Sequence, residues 1–323
     1  MKRKNQSKQW LIALMMGTIF SATLISCNKK DDPAPAPSNT ITDKVVADAN
    51  LTLLEQAVIR AGLDGTLKGT GPFTVFAPDD AAFAASGISS TTINALTPAQ
   101  LSTLLLYHTI GSKILAADVP AGPNAKVITA SGDSVFVTKN ASGVYVNGVK
   151  VTVADIAADN GVIHKVGRVL NPPAGNIVET AVAAGLDSLV KAVTRATTAP
   201  GGDPALAGTL STAKLTVFAP TNQAFTSLLT ALSLTDINQI PVATLLAVLR
   251  YHVVGGRAFS SDLANGNLAM LAGGNTITNL TNGTGGAPTI LGNSNGGSKS
   301  NIIATNIVCR NGVVHLIDRV LLP

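Results

Sequence analysis

A chain of 323 residues in which 46% of side chains are hydrophobic and 13% are charged can bury a real core, which excludes wholesale disorder. Its length exceeds one average domain and falls short of three. Twenty-three basic against 18 acidic residues, a formal +5, raise the question of an anionic partner such as nucleic acid or a membrane surface.

Taking the chain in order, Lys2, Arg3, Lys4 and Lys8 precede an apolar run from Trp10 to Phe20 that is too short to span a bilayer comfortably. Residues 1–26 therefore read as a secretory signal. Without them 19 basic and 18 acidic groups remain, so electrostatic nucleic-acid binding loses its basis and nucleic acid is not an expected partner. Trp10 leaves too, and few aromatic residues are left for a stacking platform. Leu24-Ile25-Ser26-Cys27 resembles the lipobox of bacterial lipoproteins, which implies cleavage after Ser26 and acylation of Cys27. The alternative is an ordinary signal peptide with a chance cysteine. Cys309 is the one other cysteine, so no intramolecular disulfide is expected. Several acyl chains, at roughly 0.8 kcal/mol per buried CH₂, would tether the chain to a membrane without spanning it.

Residues 27–40 read as a linker, charged at Lys29-Lys30-Asp31-Asp32 and then Pro-rich at Pro33-Ala-Pro-Ala-Pro37. That composition favours an extended spacer of about 3.1 Å per residue. The Lys-Asp-Asp also resembles the short acidic signal that sends Bacteroidetes lipoproteins to the outer face of the outer membrane, although charged residues are common in any linker. The expected location is the cell envelope, lipid-anchored, at the outer membrane and surface-exposed.

The remainder is one unit written twice. Leu51–Arg60 matches Leu186–Arg195 at an offset of 135, and Phe73–Phe83 matches Leu215–Phe225 at 142. Leu104–His108 matches Val248–His252 at 144, and Asn160-Gly-Val-Ile-His164 matches Asn311-Gly-Val-Val-His315 at 151. Most of the growth in offset falls in two steps of seven, within Thr197–Gly208 and the Gly/Asn-rich tract of roughly Gly273–Ser300, both of turn-forming composition. A boundary near Pro172-Pro173 places domain one at 41–172 and domain two at 173–323.

Leu51, Leu54 and Val58 recur at helical spacing. Thr-Val-Phe-Ala-Pro reads as a strand ended by Pro78 or Pro220, after which Asp79 or Thr221 can cap a helix. A further helix starts at Thr97, with Pro98 at its first position and Gln100 completing a capping box, and runs to Tyr107-His108. Ser134–Thr138, Gly143–Val151 and Gly161–Val166 read as strands with hairpin turns at Asn147-Gly148 and Asn160-Gly161. Helices first and a β-meander second indicate an α+β domain.

Thr74-Val-Phe-Ala-Pro78 with Phe83, Tyr107-His108 and Asn160-Gly-Val-Ile-His164, each repeated downstream, resemble the signature blocks of the fasciclin (FAS1) domain. The resemblance implies two tandem domains, each a β-wedge or meander sheet flanked by several helices. It also implies adhesion or matrix interaction without catalysis and without a cofactor. In animal members the Tyr-His region with its aliphatic neighbours is implicated in integrin binding. That would carry over to Tyr107, His108 and Ile110 and to Tyr251, His252, Val253 and Val254; helix-end packing is the alternative.

The four histidines, His108, His164, His252 and His315, occupy repeat-equivalent positions. A metal or catalytic site in each domain is one reading. No His-x-x-x-His or Glu-x-x-His pairing supports it, and 56 and 63 residues separate the two in each copy, which favours hydrogen-bonded structural histidines. A hydrolase lacks a Gly-x-Ser-x-Gly elbow. Cys309 aligns with Ala158, as expected of a small buried site. Gly283-Thr-Gly-Gly286 lacks a phosphate-loop Lys and reads as a flexible hairpin loop. Asp133-Ser-Val and Asp187-Ser-Leu resemble an O-glycosylated tripeptide of Bacteroidetes envelope proteins.

The expected function is that of a non-catalytic envelope lipoprotein making adhesive or matrix contacts. The alternatives are an accessory subunit of an envelope uptake or assembly system that binds polysaccharide or a partner protein and, less favoured, a hydrolase.

Overall fold

The computed structural model describes residues 39–281 and 286–323, so the export signal, Cys27, nearly all of the spacer and part of Gly283–Gly286 lie outside the described residues. In the first repeat α1 (Ile41–Ala47), α2 (Thr52–Ala61) and α3 (Asp64–Lys68) lead into β1 (Phe73–Pro78). Then come α4 (Asp80–Ala85), α5 (Ser90–Ala95), α6 (Pro98–Tyr107) and β2 (Thr109–Ile110). The repeat closes with β3 (Gly122–Ile128), β4 (Ser134–Asn140), β5 (Gly143–Val146), β6 (Val149–Ala158) and β7 (Gly161–Val166). The second repeat follows the same plan with α7 (Ile177–Ala183), α8 (Asp187–Thr198), α9 (Ala205–Thr212), β8 (Leu215–Pro220), α10 (Asn222–Ala231), α11 (Val242–Arg250) and β9 (Val253–Gly255). It ends with β10 (Gly266–Ala269), β11 (Asn275–Asn279), β12 (Thr289–Leu291), β13 (Ser300–Cys309) and β14 (Gly312–Ile317). Each copy is α+β, with a seven-stranded sheet ordered β2-β1-β7-β6-β5-β4-β3 or β10-β11-β12-β13-β14-β8-β9.

The expected caps form. Asp79 and Thr221 each accept the backbone N–H three residues on, and Thr97 and Gln100 complete a capping box with Pro98 in the first turn. Thr40, at the end of the sequence-defined linker, caps α1 through a capping box with Asp43. Asn147 and Gly148 turn at φ 50° and 74°, the geometry that an Asn-Gly hairpin supplies.

The strand read from Thr-Val-Phe-Ala-Pro lies inside the sheet. β1 runs parallel to β7, from Phe73 opposite Gly161 to Pro78 opposite Val166, and β8 runs parallel to β14 in the same register. A strand inside such a sheet is covered on both faces, which explains why its sequence is continuously apolar. Val75 and Ala77 face the helical core with Leu54, Val58 and Leu101, whereas Phe76 faces a second core with Tyr107, Val135 and Val166. Val217, Ala219 and Phe218 divide in the same way. Burying one such Phe contributes roughly 2–3 kcal/mol.

Three expectations need adjustment. At the second hairpin the turn residues are Asp159 and Asn160, because Gly161 already pairs with Ala158 in the ladder. A Cβ on Gly161 would lie 2.1 Å from the Phe73 carbonyl oxygen, so Gly is required there by close approach rather than by turn geometry. The sheet has one strand beyond those read from the sequence for this meander, β3, an edge strand where Pro123 is tolerated. The Gly/Asn-rich tract of the second repeat is partly sheet, with β11 and β12 paired antiparallel.

The two repeats meet along one seam. Phe136 of β4 packs with Phe259, Val308 and Val313 of the second repeat, its ring centroid 6.1 Å from that of Phe259, and the Arg257 guanidinium lies 3.8 Å over its face. Around this centre Asn124 Nδ2 donates to the Arg257 carbonyl at 2.7 Å, and Thr138 Oγ1 donates to Asp262 at 3.0 Å.

Candidate functional site

All seven residues of the two Tyr-His regions are buried. Tyr107 ends α6; its hydroxyl donates to the Ser134 carbonyl and accepts from Asn147 Nδ2 at 2.9 Å. Burial pushes its phenol up to about 12. The Tyr251 hydroxyl donates to the Asn275 carbonyl and accepts from Asn293 N–H. Ile110 and Val254 enter the wedge cores, and Val253 enters the helical core. The exposed residues beside them are Gly111, Ser112 and Lys113 in one repeat and Gly255 and Gly256 in the other.

Each histidine has both ring nitrogens engaged by backbone. The Leu170 N–H donates to His108 Nε2 at 2.9 Å, which obliges Nδ1 to carry the proton that it donates to the Leu104 carbonyl at 2.8 Å. His252 repeats this with Leu321 N–H and the Val248 carbonyl. The closing-block histidines take the opposite tautomer: Asp155 N–H donates to His164 Nδ1 at 3.1 Å, and Nε2–H donates to the Ile114 carbonyl at 2.8 Å. His315 does the same with Asn306 N–H and the Ala258 carbonyl. Burial holds His108, His252 and His315 down at about 4, as neutral imidazoles.

These bonds fasten specific joints. Asp155 and Asn306 sit at φ 60° and 64°, where the register between β6 and β7, and between β13 and β14, slips and the sheet bends into a wedge. His164 and His315 hold those two backbone N–H groups. His108 and His252 tie the last turn of α6 or α11 to the segment after the final strand.

The Asn of the closing block is a three-point tie that sequence reasoning placed only as a turn residue. Asn160 Oδ1 accepts from Ile41 N–H, and Nδ2 donates to the Leu67 and Gly69 carbonyls, joining α1 and the end of α3 to the sheet. Asn311 does the same with Ile177, Leu210 and Ala213. Its recurrence with the Gly in both copies was the available signal. Cys309 is a buried free thiol 3.3 Å from Thr180 Oγ1, and burial raises its pKa.

Two of the concavities among the described residues bear on ligand binding. A cavity of about 440 Å³ opens in the wedge of the first repeat, walled by Phe76, Ile110, Ile114, Val127, Val151 and His164. In the second repeat the stations of Val127 and Val151 carry Leu268 and Ile302, and Ile302 is buried. A cleft of about 460 Å³ lies along the seam between the repeats. Among the described residues no three of His, Cys, Asp and Glu group as a metal site, and the wedge cavity is lined mainly by aliphatic side chains with Lys113, Asp118 and Lys126 among its walls.

The fasciclin domain model matches residues 49–172 and 190–323. The chain is 36% identical over 138 residues to the pig transforming growth factor-beta-induced protein ig-h3, a match covering 43% of this chain and 20% of that protein. It is 33% identical over 166 residues to Protein sll1483 of Synechocystis, covering 50% of this chain and 91% of that one. Human periostin is 29% identical over 263 residues, covering 80% of this chain and 29% of periostin. The chain thus spans under a third of the two animal proteins. A solved FAS1 domain pair from the insect cell adhesion molecule Fasciclin I shares 17% identity, covering 87% of this chain and 96% of that one at a TM-score of 0.40.

Proposed function

Because the chain belongs to the fasciclin domain family, we propose that it is a non-catalytic contact protein of the cell envelope, acylated at Cys27 and presenting its two domains to protein or matrix partners. The observation that carries the non-catalytic part is the state of the histidines. All four are buried with both ring nitrogens bound to backbone, and a base so engaged has no lone pair or proton left for a substrate. The anchoring part is supported by the lipobox-like Leu24–Cys27 and the Pro-rich spacer behind it. Partner contact then falls to exposed residues, with the Tyr-His regions holding the wedge that positions them.

Protease treatment of intact cells tests this reading. Release of domain fragments from wild-type cells, with Cys27→Ala chains lost from the membrane fraction, is the expected result. Full protection of the wild-type chain would overturn the outward-facing assignment.

A further inference from the structure

The seam cleft differs from the rest of the molecule in charge. Lys126, Lys214, Arg257 and Arg310 line it against a single carboxylate, Asp133, whereas the domains as a whole carry nearly balanced charge. Lys126, Lys214 and Arg310 are exposed, and none of the three makes an ion pair with a described residue. Arg257 is partly buried; its guanidinium donates to the Cys309 and Arg310 carbonyls at 3.2 and 3.1 Å and stacks on Phe136. It is thus a fixed positive charge that pairs with no carboxylate among the described residues.

Two of these charges are particular to the second repeat: the stations of Lys214 and Arg310 in the first are Pro72 and Asp159, whereas that of Arg257 is already basic, Lys113. The cleft draws on both repeats, Lys126 from one and the other three cations from its neighbour, so it exists only where the two are docked. Cations lining a concave, low-dielectric wall focus potential into the groove. Its volume of about 460 Å³ falls within the range of ligand sites, roughly 300–1,000 Å³.

We propose that the seam cleft binds the carboxylates of an acidic polysaccharide, with Lys126, Lys214 and Arg310 meeting the anionic groups and Arg257 held as the charged floor. A flat bilayer surface cannot enter a cleft between two packed repeats, and a saccharide offers both carboxylates for the cations and C–H faces for apolar wall residues such as Val308 and Pro173. The proposal does not depend on where the chain is anchored, so it and the envelope reading fail separately.

The test is calorimetric titration of the purified protein with polygalacturonate, its methyl ester and phosphatidylglycerol vesicles. Polygalacturonate is expected to bind with an affinity that falls as salt rises, and the uncharged ester is expected not to bind. Replacing Lys126, Lys214 and Arg310 together by Ala weakens binding roughly tenfold or more, since it removes the three exposed charges that meet the polymer. Asp133→Asn, which removes the opposing charge, tightens it. Absence of polygalacturonate binding, equal binding of the ester, unchanged affinity in either variant, or preference for the vesicles would overturn the proposal.

Discussion

Phe136 and Ile277 stand at the same station of the two repeats, each two residues beyond the backbone carbonyl that receives the tyrosine hydroxyl at the end of α6 or α11. Phe136 is 9% exposed and clasped by the second repeat, whereas Ile277 is 49% exposed. The internal fasteners diverge far less: the His and Asn ties recur bond for bond, and each Tyr hydroxyl donates to the equivalent strand carbonyl. Duplication has kept what holds the wedge and changed what the wedge presents. The surfaces that differ, the seam above all, are where the individuality of this chain resides.

The first way to break that comparison is acid. An unfolded imidazole takes up its proton near 6.5 and the buried ones only near 4, so between these values the unfolded state binds the extra protons. Stability is therefore complete above pH 6.5 and falls as pH drops toward 4, by roughly 3 kcal/mol for each of His108, His252 and His315. One such loss falls on the first repeat and two on the second, a large fraction of the whole stability of a domain. Urea denaturation between pH 7 and pH 4 should show the midpoint falling steadily, and a flat profile would contradict the burial of these groups.

Next in size is the Asn tie. Asn160→Ala orphans the Ile41 N–H and the Leu67 and Gly69 carbonyls and is expected to lower stability by about 4 kcal/mol. Asn311→Ala, at a less buried station, should cost less by the same measurement. The seam follows. Phe136→Ala is expected to cost about 3 kcal/mol and to loosen the repeats, read as faster proteolysis between them, while Ile277→Ala should change stability by less than about 0.5 kcal/mol. The smallest effect is a gain. Val151→Ile places the second repeat's residue in the open wedge of the first and should raise the melting free energy by about 0.5–1 kcal/mol.

Much of the fold was legible because it is written locally. The Thr97–Gln100 capping box, the Asn147-Gly148 turn and the Asp79 cap each depend on residues within a few positions of one another. The parallel pairing of β1 with β7 was not legible, since it joins Phe73 to Gly161 across most of a repeat and leaves only a continuously apolar strand as its trace. The histidines could be marked as structural from their spacing, but not their bonds, because every partner is a backbone group and backbone carries no sequence signature. The seam was invisible for a related reason. Lys126, Lys214 and Arg310 sit in three separate places in a chain of nearly neutral domains, and only docking gathers them.

The most direct test of the claim that this chain spends its histidines on structure is the nitrogen NMR spectrum of the four imidazoles at neutral pH. The account predicts four neutral, non-exchanging rings, with the proton on Nδ1 in His108 and His252 and on Nε2 in His164 and His315. A charged ring, or a ring exchanging between tautomers, at any of these positions would contradict it.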